Sequence, residues 1–220
     1  TFNSRADYIE ILKFIEDNSK NTRFHFEISA DLLGEEALRL LKSAPAGLFQ
    51  LEAGVQSTNG TTLKAIDRRS DLPRIERNIS ALTASGNIPL HVDLIAGLPG
   101  EGINSFRNSF DEVFALKADM LQLGFLKLLK GSKLRDRAAD FGIVYNDFPP
   151  YEVLRTDDIS YGELLSLKRV EMALDIYYNS GRFAASLDIA LQSFESPLRF
   201  FLCLGDFIGS VNLSNMEQYR

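Results

Sequence analysis

Four short segments of this chain alternate between apolar and polar residues, and stretches of helical periodicity lie between them. The segments are FHFEIS from residue 24, LFQLEAGVQ from 48, LHVDLIAG from 90 and MLQLGFLKLL from 120. Alternation with period two marks a strand with one buried face, and strands separated by helices pair in parallel through right-handed crossovers. In the first segment Phe24, Phe26 and Ile28 oppose His25, Glu27 and Ser29; in the second Phe49, Leu51, Ala53 and Val55 oppose Gln50, Glu52, Gly54 and Gln56. In the third Leu90, Val92, Leu94 and Ala96 oppose His91 and Asp93, and in the fourth Leu121, Leu123 and Phe125 oppose Gln122 and Gly124. A doubly wound sheet carries helices on both faces, and its strands read as continuous apolar runs. These strands therefore carry helices on one face and turn a polar face towards a lumen. The predicted fold class is α/β, the wall of a (β/α) barrel with about four parallel strands. The wall is open, because a closed eightfold barrel takes ~250 residues and only four strands are visible by residue 130.

Beyond the wall, SYGELLSLKRVEMALDIYYNSGRF places Leu164, Leu167, Val170, Leu174 and Tyr177 on one helical side and stops at Gly181. AASLDIALQSF and PLRFFLCLGDFI have the same character. The chain thus divides into a barrel wall over residues 1–140 and a helical C-terminal extension over 141–220.

The balance of 24 basic against 30 acidic residues, net −6, disfavours non-specific binding to nucleic acid. No apolar run approaches the ~20 residues that span a bilayer, and no signal peptide is present, so a cytoplasmic location without membrane attachment is expected. Cys203 is the one cysteine. It excludes an intramolecular disulfide and a cysteine-ligated metal site, and its apolar neighbours predict an ordinary buried thiol.

Several clusters bear on chemistry. GLPGEG at 97–102 reads G-x-x-G-x-G; it lacks the Lys-Ser/Thr pair of a Walker loop and the spacing of a dinucleotide fingerprint. Glu101 at its exit would repel phosphate, so the segment is a strand-to-helix turn. Glu27, Glu52 and Asp93 project from three strands into one lumen, as acid–base groups or ligand contacts. His25 and His91 on the same polar face could ligate a metal, though a hydrogen-bonded structural role is favoured and no metal ligand is assigned. Arg68, just past a strand and a first helical turn, can return to the strand ends and clamp a carboxylate, though on the residues alone a solvated surface position is favoured.

Taken in order, FEISADLL, LEAGVQSTNGTTLKAIDR, HVDLIAGLPGE and LQLGFLKLLKGSKL resemble the third to sixth strands of the (β/α)6 barrel of radical S-adenosylmethionine (radical SAM) enzymes. The likeness covers about residues 1–140, and the opening TFN resembles the end of the second-strand motif. It is strongest to the branch with a cobalamin-binding domain ahead of the barrel, which includes anaerobic magnesium-protoporphyrin monomethyl ester cyclase-like proteins. The resemblance implies an iron–sulfur oxidoreductase or transferase in which a 4Fe–4S cluster, held by a C-x-x-x-C-x-x-C loop, reductively cleaves S-adenosylmethionine to a 5′-deoxyadenosyl radical. It implies that Glu27, Gln56 and the adjoining Ser57 contact the ribose or methionyl part of that cofactor. Arg68 pairs with its carboxylate, Asp93 lies on the ribose side, and the backbone from Ile95 to Gly97 lies against the adenine. The resemblance leaves the catalytic residues unassigned.

The cysteine loop itself is missing from this sequence, and a cluster needs thiolates. The expectation is a C-terminal fragment, inactive alone and binding no cofactor stably. Its partners are then the cluster-binding and cobalamin-binding segments of one longer polypeptide and a small-molecule substrate, with homodimerisation through the exposed sheet edge as another way to cover that edge. The alternatives are a naturally truncated, non-catalytic scaffold, or an unrelated α/β domain that binds a phosphate ligand at Gly97–Gly102.

Overall fold

The computed structural model describes residues 1–210; residues 211–220, assigned above to the extension, lie outside the described residues. Helix α1 (Tyr8–Asn18) leads into β1 (Phe24–Ile28), followed by α2 (Glu35–Ser43), β2 (Phe49–Gln56), α3 (Gly60–Ala65), α4 (Leu72–Thr83), β3 (Leu90–Ala96), α5 (Ile103–Phe114) and β4 (Met120–Phe125). The four strands form one sheet in the order β1-β2-β3-β4, every neighbouring pair parallel. Helix starts follow local chemistry: the Asn59 side chain accepts from the Thr61 amide to cap α3, and Asp71 does the same for α4 through the Arg74 amide.

The alternation read from the sequence is realised as burial. On β2 and β3 the apolar positions are at most 2% exposed, whereas the intervening residues are half-buried. The helices therefore cover one face of the sheet and leave the polar face open. On β1 the same alternation is weaker, because it is an edge strand: Phe24 and Phe26 are half-buried, and Phe26 is stacked under Phe2 at 4.0 Å between ring centroids. Asn3 fastens this N-terminal turn, donating to the Ser29 carbonyl at 2.8 Å and accepting from the Ser29 amide at 2.9 Å.

After β4 come α6 (Lys133–Asp136), β5 (Val144–Tyr145), β6 (Val153–Arg155), α7 (Tyr161–Ala173), α8 (Ala184–Leu191) and α9 (Pro197–Ser210), with a π-helical turn, Leu174–Asn179, continuing α7. The extension is thus not wholly helical. The turn at Pro149–Pro150 returns the chain so that residues 151–153 run antiparallel to 126–128, with the Val153 amide on the Leu126 carbonyl and the Leu128 amide on that of Tyr151. Strong side-chain periodicity further along does not reveal this short pairing.

The extension shares the core of the wall. Phe201 of α9 meets Phe110 and Phe114 of α5, and Tyr178 lies over Phe114. Asn179 caps the outer edge of β4, accepting from the Leu121 amide and donating to the Leu121 carbonyl, which shields backbone groups that an edge strand leaves open. Cys203 on α9 is half-buried rather than fully buried; α9 is a surface helix, with Phe207 at 65% exposure one turn on. No helix among the described residues is long and apolar enough to cross a membrane.

Candidate functional site

A cavity of about 260 Å³ opens at the carboxyl ends of β1, β2 and β3, lined by Glu27, Glu52, Gly54, Gln56, Arg68 and Asp93 among others. Parallel register assembles it: Glu27 pairs with Glu52 across β1 and β2, and Gly54 with Asp93 across β2 and β3. The register shifts between Gly54 and Gln56, and Gln56 takes φ +72°, a left-handed conformation that costs a non-glycine residue about 1–3 kcal/mol. That bulge folds the Gln56 amide over Gly54, where a Cβ would collide with it and come within 3.7 Å of Arg68. Arg68 reaches back from the loop after α3 and donates to the Gly54 carbonyl.

Two polar atoms in this cavity are buried without a hydrogen-bond partner among the described residues: Arg68 Nε, a donor, and Asp93 Oδ1, an acceptor. Buried polar atoms are normally satisfied, so the pair marks a place for a ligand with an acceptor and a donor of its own. The electrostatics point the same way. Burial, then Glu52 and Glu27, push the Asp93 carboxyl up to about 7, against the pull of Arg68. Burial also lowers the pKa of Arg68, opposed by Asp31 and Asp93. Three carboxylates around one guanidinium make an acidic cavity, a poor site for phosphate and a good one for a cation that also carries a carboxylate.

The histidines lie deeper in the sheet. His25 Nε2 is 3.2 Å from Glu52 Oε2, and His91 Nε2 is 3.1 Å from the Gln50 amide. Burial, then His25, lower the His91 pKa, and no group of three or more His, Cys, Asp or Glu among the described residues is placed to hold a metal.

Ile95 lines a second, more apolar cavity of about 430 Å³ together with Ile66, Leu98 and Leu126, with Lys133 and Arg137 also in its lining. Asp93 lines the first cavity and Ile95, two residues on along β3, the second; Arg68 and Asp67 are divided likewise. Gly97 takes φ +86°, and a Cβ there would meet Leu164, Leu126 and Val153 at 3.6–3.8 Å. Glycine is therefore required by backbone conformation, and its side-chain direction faces the extension. Ser57 does not line the acidic cavity. It is fully buried, and its hydroxyl donates to Glu101 at 2.7 Å.

Glu101, read from sequence as a residue that repels phosphate, is instead a wholly buried carboxyl. One oxygen accepts from Ser57 and from Ser109 at 2.8 Å, the other has no partner among the described residues, and burial raises its pKa against those two hydrogen bonds. The one signal in the sequence was Ser109, a hydroxyl among Phe106, Phe110 and Val113 on the apolar side of α5.

Donor chemistry separates the two groups that the resemblance implies. The acidic cavity, with its unpartnered donor and acceptor, fits S-adenosylmethionine. The 4Fe–4S cluster does not fit this chain's residues, since the one cysteine lies on α9.

Parts of the chain are similar to known families and proteins. The model of a family described as a protein of unknown function, DUF4080, matches residues 139–219. The oxygen-independent coproporphyrinogen-III oxidase-like protein HemZ of Bacillus subtilis (strain 168) is 30% identical over 104 residues, which is 47% of this chain and 20% of that protein. Among solved structures, the radical S-adenosylmethionine methyltransferase TsrM from Kitasatospora setae, with cobalamin and a [4Fe-4S] cluster bound, matches with a TM-score of 0.54 at 19% identity. That match covers 67% of this chain and 32% of that one. Coproporphyrinogen III oxidase (HemN) from Escherichia coli matches at 22% identity over 55% of this chain and 28% of its own, with a TM-score of 0.46. The chain therefore spans a fifth of the curated relative and about a third of the solved ones. The four-stranded parallel sheet agrees in fold with TsrM, and the Radical SAM superfamily model matches residues 1–113, just over half the sequence: the chain belongs to the radical SAM superfamily.

Proposed function

We propose that the acidic cavity is the S-adenosylmethionine site and that this chain forms the cofactor-holding wall of a radical SAM enzyme whose cluster cysteines lie on another segment. The observation that carries this reading is the half-buried Arg68, whose buried Nε has no hydrogen-bond partner among the described residues, set among three carboxylates. S-Adenosylmethionine carries a sulfonium and an ammonium cation beside one carboxylate, which is the complementary charge pattern. Arg68 holds the carboxylate, Glu27 and Asp93 accept from the ribose hydroxyls, and Gln56 donates its amide to the methionyl part. The apolar cavity beside Ile95 takes the adenine. Bound there, the cofactor supplies the hydrogen-abstracting radical chemistry of the superfamily; this chain's residues hold and orient it.

Titrating the ¹⁵N-labelled chain with S-adenosylmethionine and with S-adenosylhomocysteine tests the site. Weak, millimolar-range binding (about −4 kcal/mol) is expected, with shifts confined to the ends of β1–β3 and to Arg68. Arg68→Ala should weaken binding roughly 10- to 100-fold, the range for losing a hydrogen bond to a charged group. Equal shifts with inorganic phosphate, or shifts elsewhere on the surface, would overturn the assignment.

The same reading places the whole enzyme in the cobalamin-associated branch, with cyclase-like proteins. It is supported by the order of the four strand motifs and, in fold alone, by TsrM, whose structure holds cobalamin. Anaerobic reconstitution of the polypeptide encoded by the whole open reading frame, with iron, sulfide and hydroxocobalamin, tests this. Co-elution of a cobalamin spectrum with protein that cleaves S-adenosylmethionine supports the branch. Cleavage without cobalamin uptake removes it and leaves the superfamily chemistry.

A further inference from the structure

The turn that presents Gln56 to the cavity is held by a network that no part of the cavity touches. Ser57 Oγ donates to Glu101 at 2.7 Å and accepts from the Asn59 amide at 2.9 Å. Ser109 Oγ donates to the same Glu101 oxygen at 2.8 Å and accepts from the Thr58 amide at 3.1 Å. Asn59 ties the turn to the loop again, donating to the Gly100 carbonyl at 3.2 Å. One buried carboxyl thus joins three segments: the turn after β2, the loop before α5, and α5 itself. That loop is gripped in turn by the extension. The Gly100 amide donates to Asp158 Oδ2 at 2.7 Å, and a Cβ at Gly102 would lie 2.8 Å from the Asp158 carbonyl. Asp158 is fixed by its own turn, where Thr156 Oγ1 accepts from the amides of Asp158 and Ile159 at 3.0 and 3.2 Å.

We propose that Glu101 is a positioning residue for Gln56, and that the extension, through Asp158 and the Gly100–Gly102 loop, sets the geometry of a cofactor cavity it does not line. The strained backbone at Gln56 persists only where its surroundings over-determine it, and Glu101 is the group that does so. The extension acts as a clamp on the loop that carries that group. The proposal rests on the cavity being the cofactor site for its functional consequence, but the mechanical link stands apart from it.

Two readouts on the whole chain separate the two. Asp158 is exposed, so Asp158→Ala should leave far-UV circular dichroism and melting close to wild type. Amide exchange at Ser57–Asn59 should become roughly tenfold faster, as a local opening grows more populated. S-Adenosylhomocysteine affinity should fall about three- to tenfold, the scale of one hydrogen bond. Asp158→Asn keeps an oxygen for the Gly100 amide and should restore both. Glu101→Gln keeps the acceptor for both serines and should stay near wild type in exchange at Ser57–Asn59, whereas Glu101→Ala should lose it. Unchanged exchange at Ser57–Asn59 in Asp158→Ala overturns the clamp, whatever the ligand does. Altered exchange together with no S-adenosylhomocysteine binding by the wild type leaves the clamp standing and removes the cofactor reading.

Discussion

Asp93 is a charged group that its surroundings hold at a cost to stability. Its carboxyl is pushed up to about 7, from the ~3.9 of an ordinary aspartate. Between those two values the folded state holds a proton that the unfolded chain has released, so this group's contribution to stability falls as pH rises through about 4 to 7 and is flat above. Asp93→Asn is uncharged throughout. Its melting temperature should exceed that of wild type by a margin that widens from pH 4 to 7 and then stays constant, while S-adenosylmethionine binding weakens. Parallel melting curves for the two proteins across that range would show that Asp93 is not the source. Stabilisation with loss of binding is the trade expected of a residue kept for a ligand. Glu27 and Asp93 were legible as a convergent pair, because alternation puts both carboxylates on one face; Arg68, for which the residues alone favoured solvent, joined them only through the family resemblance. Ser57 was grouped with them through the family resemblance as the residue adjoining Gln56, although the alternation places it on the opposite, apolar side, where the structure finds it.

At the scale of elements, the strands were legible and the connections less so. Period-two burial on β2 and β3 depends only on local pattern, so it survives folding unchanged. The β5–β6 pair and the bulge at Gln56 depend on which distant backbone lies alongside, and neither leaves a periodic trace. Close helix packing belongs here as well. In the contact between α7 and α9, a Cβ at Gly205 would lie 2.9 Å from the Arg169 backbone. Gly205→Ala should therefore cost about 1–3 kcal/mol by overpacking, measured as a drop in the midpoint of urea unfolding. An unchanged midpoint would mean that the two helices separate at no cost.

Across the whole molecule, the division at residue 140 is one of sequence rather than of core. Phe110 and Phe201 are both fully buried and pack on one another across that boundary, and Asn179 covers the edge of β4. A chain ending at residue 140 would expose the α5 aromatic face. It should be insoluble or lack a cooperative melt, whereas an independent wall would stay soluble with an unaltered transition. Sequence by itself determined the parallel wall, its polar face and the carboxylates that converge there, because periodicity and charge are local properties of a strand; Arg68 lies outside the strands, and folding brings it to Gly54. Tertiary structure alone decided that Glu101 is a buried anchor, that Gly97 answers to the extension, and that Asp158 grips the loop beside the cavity. Those are contacts between segments tens of residues apart, and burial, which sets their energetic weight, exists only once the chain has closed around them.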